Sequence, residues 1–349
     1  MSVAQIRLRA APAVARHRDI FIVLSIFLLV LVVASLTLSG FASVFNIEGM
    51  LGASLPLALA SIGQTFVVLT GGIDLSIGSV MSLSAVVGAL YMDGDDSKFA
   101  IGLLICLALG VGVGLVNGIV VTVFQVNPVV ATLGTLTIGQ GLALSVTEVP
   151  SGQAPQALRE LVYGHVAGIP APIFVLAAAF CIAYLVLRRT RYGLHVYGLG
   201  GDKEGARLSE VRTDAVQVSV YVISGACAGL AGALLLGRLG VGDPVAGQFF
   251  LLLTVVAIGL GGINLFGGRG SIIGTLGGVA ILAVFGNALN IADIGAYEQD
   301  LIYGLLVIGI LAIGSPILRR RVAEWVRDLR RVGGPRALAP TNERRGGDG

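Results

Sequence analysis

Apolar residues in this chain fall in long, uninterrupted runs rather than in the alternating or three-to-four-residue rhythms of a water-soluble fold. A helix rises 1.5 Å per residue, so about 20 apolar residues are needed to cross a hydrocarbon core about 30 Å thick. Ten runs of that order are present, at residues 20–38, 50–70, 76–92, 99–123, 128–147, 170–187, 216–237, 248–266, 271–290 and 300–318. They predict an all-α polytopic membrane protein of about ten transmembrane helices. The first run, Ile20 to Leu38, exceeds the roughly 7 to 15 apolar residues of a secretory signal and reads as a span.

The charges between the runs set an orientation, because arginine and lysine are retained on the cytoplasmic side. Placing the N-terminus inside leaves Asp93, Asp95, Asp96, the 148–168 loop and the 293–300 segment outside, all poor in arginine. The same threading puts Arg188, Arg189, Arg191, Lys203, Arg207 and Arg212 inside, with the C-terminal Arg319, Arg320, Arg321, Arg327, Arg330 and Arg331. Both termini are then cytoplasmic. The expected organisation is a cytoplasmic segment 1–19, a transmembrane domain 20–318 with a long cytoplasmic loop at 188–214, and a basic tail 319–349. Within that end, residues 317–332 read as a short amphipathic helix at the headgroup level, and the Gly/Pro-rich stretch from Gly333 as disordered.

Composition agrees: 55% of the 349 residues are hydrophobic and 12% charged, against about a quarter charged in a soluble domain. Only two lysines, Lys98 and Lys203, are present and neither follows a glycine, so the chain holds no GxxxxGK[ST] phosphate loop. Any ATP must be hydrolysed by a partner. Cys106, Cys181 and Cys227 sit in apolar stretches without metal-ligand spacing and read as small core residues. His17, His165 and His195 form neither an HExxH pair nor part of a triad. No set of nucleophile, base and metal ligands points to a membrane-embedded enzyme. The 51 glycines are spaced at four in places, with Gly110, Gly114 and Gly118, Gly225 and Gly229, and Gly274 and Gly278. Such faces let helix backbones approach closely in lipid, so a tightly packed bundle is expected.

The strongest local signal is GGIDLSIGS, Gly71 to Ser79, echoed by GGINLFGGRGS, Gly261 to Ser271. A glycine-broken hairpin at membrane depth is tolerated where it is buried in protein or lines a cavity. Asp74 is the only acid between Glu48 and Asp93, and an ionisable group near the bilayer interior is a functional candidate. The plainer alternative is that Asp74 caps the next helix by accepting the backbone N–H groups of Ser76 and Ile77, which the Asn264 of the second copy favours. Polar residues within the runs include Gln64, Thr65, Asn117, Thr122, Thr132, Thr135, Thr137, Gln140, Thr254, Asn287 and Asn290. They suit the path of an uncharged, hydroxylated substrate, or simply bond between helices or to their own backbone. Asp74, Ser76, Asn127, Thr132, Thr135, Gln140, Asn264, Asn287 and Asn290 are the candidates for a translocation path or a broken helix. Asn127 before Pro128 also reads as an N-cap with a first-turn proline. In the 188–214 loop, Asp202 after two glycines reads as the N-cap of a short helix with Ala206, Leu208 and Val211 on its apolar side.

Four stretches together carry a resemblance: GGIDLSIGSVMSLSAVVGA, NPVVATLGTLTIGQGLAL, YGLGGDKEGARLSEVR and GLGGINLFGGRGSIIGTLGGVAILAVFGNALN. From about Asn46 to Ile313 the chain resembles the permease subunit of the ribose/xylose/arabinose/galactoside type of ABC importer. The resemblance implies about ten spans in the bacterial inner membrane and a second permease copy or paralogue. It also implies a cytoplasmic ABC ATPase carrying ATP and magnesium, an extracytoplasmic sugar-binding protein, no cofactor on this chain and no nucleic-acid partner. Gly201, Asp202, Ala206, Arg207 and Leu208 fall on the family's coupling segment, where Asp202, Gly205 and Glu210 depart from the usual GxNxxAAxxSGI. A branched-chain amino acid permease of the same superfamily and an ion-coupled secondary transporter are the alternatives. The first would call for more charge along its path, and the second for several intramembrane carboxylates.

Overall fold

Each of the ten apolar runs overlaps a helix among the described residues. The computed structural model describes residues 13–314, and the 317–332 helix and the tail expected beyond them lie outside that range. The helices are α1 (Ala13–Thr37), α2 (Val44–Leu69), α3 (Ile77–Met92), α4 (Phe99–Thr122), α5 (Pro128–Val146), α6 (Gln156–Tyr163), α7 (Ala171–Arg189), α8 (Arg191–Gly201), α9 (Lys203–Leu208), α10 (Thr213–Leu239), α11 (Gln248–Leu260), α12 (Ile272–Ile291) and α13 (Ala296–Gly314). A two-stranded antiparallel hairpin, β1 (His165–Val166) with β2 (Ile169–Pro170), is the described sheet. Among the described residues, those up to Ile310 form one compact unit and residues 311–314 fall outside it.

Among the described residues, six helices (α2, α4, α5, α7, α10 and α12) are long and apolar enough to cross a membrane, while α3, α11 and the apolar part of α1 are shorter. The glycine breaks set the ends of α11 and α2. The run 248–266 does not continue as helix to its end: α11 stops at Leu260, where Gly262 N donates to Gly259 O at 3.0 Å and Ile263 N to Ile258 O at 3.0 Å. Gly262 takes the left-handed conformation (φ 76°) of a Schellman stop. In the first copy Gly71 (φ 85°) does the same for α2, with Gly71 N on Val68 O and Gly72 N on Val67 O. The stop therefore uses the first glycine of GGID and the second of GGIN, so the two copies are offset by one residue.

α2, α3 and α10 occupy the middle of the bundle, and they carry its polar load. Ser54, Ser61, Gln64, Thr65, Ser79, Ser82, Ser84, Gln217 and Ser224 on these helices are all buried. Hydrocarbon offers no water to these groups, so they face inward to protein partners. Outward faces of α1, α4, α5 and α7 present large apolar side chains such as Phe21, Leu36, Leu104, Ile138 and Ile182, as helices in lipid or against a partner do. Cys181 departs from the expectation of a core cysteine and is exposed on α7.

The α4–α10 pair is where the glycine spacing acts. A Cβ on Gly110 would strike the Gly225 carbonyl, on Gly114 the Tyr221 carbonyl, and on Gly118 the Val218 Cα at 2.9 Å. Gly274 and Gly278 of α12 meet the carbonyls of Gly261 and Ala257 in the same manner.

The links gather into two sets at opposite ends of the helices. At one end Ser151 pairs with Gly242, Gly94 N donates to Gln153 O at 3.0 Å, Ala157 N to Asp96 Oδ1 at 2.8 Å, and His165 Nε2 lies 3.1 Å from Glu48 Oε1. At the other end the α2–α3 break, α8–α9 and the 261–271 turn meet. The 148–168 loop is more ordered than its composition suggests, because α6 buries Leu158 and Val162 against Leu236 and Leu234 of α10 and Leu55 of α2.

Candidate functional site

The chain between α2 and α3 leaves the helix at Gly71 and enters the next at Ile77, and Asp74 lies at its centre with 0% of its surface exposed. Asp74 Oδ1 accepts from Ser76 N at 3.0 Å and from Ser76 Oγ at 2.6 Å, while Oδ2 accepts from Ser224 Oγ of α10 at 2.7 Å. Its own backbone N–H donates to Gln64 Oε1 at 3.2 Å. Asp74 thus holds Ser76 twice and reaches α10 but makes no bond to Ile77, and the N-cap position of α3 is Ser76 itself, without a side-chain capping bond. Burying a carboxylate costs several kcal/mol, and hydrogen bonds to a charged acceptor return roughly 1.5 to 3 kcal/mol each. These three donors satisfy both carboxylate oxygens, and the Lys98–Asp95 ion pair and the His165–Glu48 contact among the described residues lie at the other end.

From Ser76 the bonds continue outward. Asn117 Nδ2 of α4 donates to Ser76 Oγ at 2.9 Å, and Thr135 Oγ1 of α5 donates to Asn117 Oδ1 at 2.7 Å. Thr132 Oγ1, also on α5, donates to Pro128 O at 2.8 Å and lies 3.3 Å from Ile73 O. The break in α2–α3 is thereby tied to α4, α5 and α10 at once. Five buried side-chain atoms on these helices, Ser61 Oγ, Gln64 Nε2, Ser84 Oγ, Gln140 Oε1 and Tyr221 Oη, make no hydrogen bond, and a Cβ on Gly72 would lie 2.6 Å from the Tyr221 hydroxyl.

Of the nine path or broken-helix candidates, the structure gathers four: Asp74, Ser76, Thr132 and Thr135. The others stand apart. Asn127 is exposed and accepts from Val129 N at 2.9 Å as the N-cap of α5. Gln140 Nε2 donates to Pro244 O at 2.9 Å, joining α5 to the 240–247 link. Asn264 turns back on its own loop, accepting from Phe266 N at 3.2 Å, and the N-cap of α12 is Ser271 instead. Asn287 and Asn46 exchange two amide hydrogen bonds, each 2.9 Å, which fix α12 to the start of α2. Asn290 Oδ1 accepts from Gln299 Nε2 at 2.9 Å. Ser224 and Tyr221 escape a reading of the sequence, since a serine beside Gly225 looks like one more small packing residue and a tyrosine in an apolar run looks like core.

Beneath this cluster lies the 188–214 loop, which forms two helices rather than one. α8 follows α7 after Thr190, whose Oγ1 accepts from Gly193 N at 3.3 Å. α9 then starts at Asp202, whose Oδ1 accepts from Gly205 N at 3.0 Å. Ala206 is buried, whereas Leu208 is 77% exposed, so Leu208 lies away from the face it was expected to share with Ala206. Gly201, Asp202 and Arg207 are exposed as well. A cleft of about 790 Å³ opens beside α9, lined by Lys203, Glu204, Arg207, Arg212 and Asp214 among others. Among the described residues no group of three or more His, Cys, Asp or Glu converges to hold a metal.

The family model described as the branched-chain amino acid transport system permease component matches residues 46–311. The ribose import permease of Bacillus subtilis is 35% identical over 82% of this chain and 89% of its own length. This chain belongs to the ribose-type ABC-importer permease family. The fructose import permease of Rhizobium meliloti is 33% identical over 86% of each chain, and the L-arabinose transport system permease of Escherichia coli 31% over 83% of this chain and 88% of its own. No solved structure matches. The matched stretch takes in both glycine breaks, the Asp74 cluster and α8–α9, and makes the chain a multi-pass membrane permease subunit.

Proposed function

We propose that this chain forms one half of the membrane channel of an importer that carries a monosaccharide, pentose or hexose, into the cell. The observation that supports the substrate class most directly is that similar permeases named for ribose, fructose, allose and arabinose align with it over more than four-fifths of its length. The nearly charge-free helices suit a neutral, hydroxylated cargo.

In this reading the chain has about ten spans, with segment 1–19 and tail 319–349 in the cytoplasm and the transmembrane domain at 20–318. The arginines of α7, α8, α9 and the start of α10 support a cytoplasmic position for the α9 end. Exposed Gly201, Asp202, Arg207 and Leu208, with Ala206 buried behind them, form a short helical knob that docks into a separate ATPase subunit. ATP and magnesium belong to that subunit, and this chain itself binds no cofactor. A second permease copy or a paralogue completes the channel, and a sugar-binding protein delivers cargo at the opposite end. ATP binding closes the two ATPases, draws their docked helices together and favours the outward-open state, and hydrolysis reverses the bias.

The test is ATP turnover by the reconstituted complex of permease, ATPase and binding protein, measured across a panel of pentoses and hexoses. Stimulation of several-fold by one sugar is the expected result. No stimulation by any sugar, with stimulation by a branched-chain amino acid, would contradict the substrate class.

A further inference from the structure

Three backbone segments meet without intervening side chains under the Asp74 cluster. A Cβ built on Gly200, near the end of α8, would fall on the Leu69 carbonyl oxygen and 2.7 Å from the Gly268 nitrogen. One on Gly268 would lie 2.8 Å from the Gly201 Cα, and one on Gly267 2.8 Å from the Gly71 nitrogen. Gly268 N donates to Leu69 O at 2.9 Å. That carbonyl is one of the four a helix leaves unpaired at its C-terminus, and a loop from the other half of the chain satisfies it. α8 is fastened on both sides of this junction, since Tyr197 Oη donates to Gly270 O at 3.1 Å and Tyr192 Oη lies 2.8 Å from Ser219 Oγ on α10.

Backbone packed on backbone has no rotamers to yield, so a shift of α8 must displace the end of α2. Only a few residues separate Leu69 from Asp74. Within them Gly71 holds the left-handed turn, Gly72 lies against the Tyr221 hydroxyl, and Ile73 O faces Thr132 Oγ1. Asp74 and Ser76 then pass any movement to Ser224 on α10, Asn117 on α4 and, through Asn117, Thr135 on α5.

We propose that the Gly200–Leu69–Gly268 junction is the mechanical link between the ATPase and the channel, with Gly200 and Tyr197 acting as positioning residues that convert displacement of α8–α9 into rearrangement of the α2–α3 break. The inference rests on the reading that α9 docks the ATPase. Its parts are local. The junction transmits force through contact of three main chains, and the Asp74 bonds spread it over three helices.

The experiment compares Gly200→Ala with Gly198→Ala, a glycine of the same helix whose Cβ would meet nothing within 4 Å. Both are assembled into the full complex with ATPase and sugar-binding protein in proteoliposomes. ATPase retained per permease and sugar carried per ATP hydrolysed are measured. Gly200→Ala should keep its ATPase and lose at least tenfold in sugar per ATP, with Gly198→Ala within twofold of the parent on both. Coupling within twofold of the parent in Gly200→Ala overturns the proposal. Should Gly200→Ala fail to fold, Tyr197→Phe decides: it adds no atoms and removes the bond to Gly270, so a two- to fivefold fall in sugar per ATP supports the link and an unchanged ratio overturns it. Leu208→Asp separates the underlying reading, because it should strip the ATPase from the permease. An ATPase that stays bound to Leu208→Asp contradicts docking at α9 and removes the inference with it, whereas loss of the ATPase there with normal coupling in Gly200→Ala overturns the inference alone.

Discussion

Asp74 has three hydrogen-bond donors and no counter-charge, so its stability contribution comes from Ser76 and Ser224. Asp74→Ala leaves those groups buried and unmet and should cost about 2 to 5 kcal/mol. Asp74→Asn should cost less than half as much, because its amide oxygen can still accept from Ser76 and its nitrogen can donate to Ser224. Tyr221→Phe, by contrast, removes a hydroxyl that bonds to nothing and should be nearly neutral. Thermal unfolding of the purified chain in detergent orders the three, and Ala tolerated as well as Asn would contradict the cluster's role. Asp74 was legible in the sequence because a lone acid among apolar residues has few explanations. Ser224 was not, since its meaning comes only from a helix crossing that brings α10 against the break.

At the scale of elements, the four-residue glycine spacing announced close helix packing but not which helices meet. The structure sets Gly110, Gly114 and Gly118 against α10, with Gly225 and Gly229 returning the contact onto Gly110 and Cys106. Gly114→Val would drive a branched side chain into the Tyr221 carbonyl and should cost upwards of about 3 kcal/mol, seen as loss of monodisperse protein. Gly112→Ala on the same helix meets nothing within 4 Å and should leave yield and melting temperature within error of the parent. Ten apolar runs gave ten helices because length and hydropathy speak for themselves. α8 was hidden, because Gly193, Gly198, Gly200 and Gly201 lower helix propensity by nearly 1 kcal/mol each and only its tertiary packing holds it. α6 does carry a helical period, with Leu158, Leu161 and Val162 on one face, but its eight residues form a marginal helix until α10 and α2 supply the surface it covers.

At the scale of the whole molecule, the links between helices collect at two ends that are built differently. One carries the ordered 148–168 segment and the 240–247 link, joined by the Ser151–Gly242 bridge, and the other carries α8–α9 and the two glycine breaks. Between them, Asp74 is the one fully buried carboxylate among the described residues, which offers an ion no ladder of acids to follow. In the proposed reading the energy for transport comes from an ATPase docked at the α9 end. The most direct test is sugar uptake into proteoliposomes holding the permease, its ATPase and its binding protein, with ATP supplied on the α9 side or with an imposed proton or sodium gradient instead. The account predicts uptake that requires ATP hydrolysis and the binding protein and ignores the gradient. Uptake that follows the gradient without ATP, and is abolished by Asp74→Asn, would contradict it.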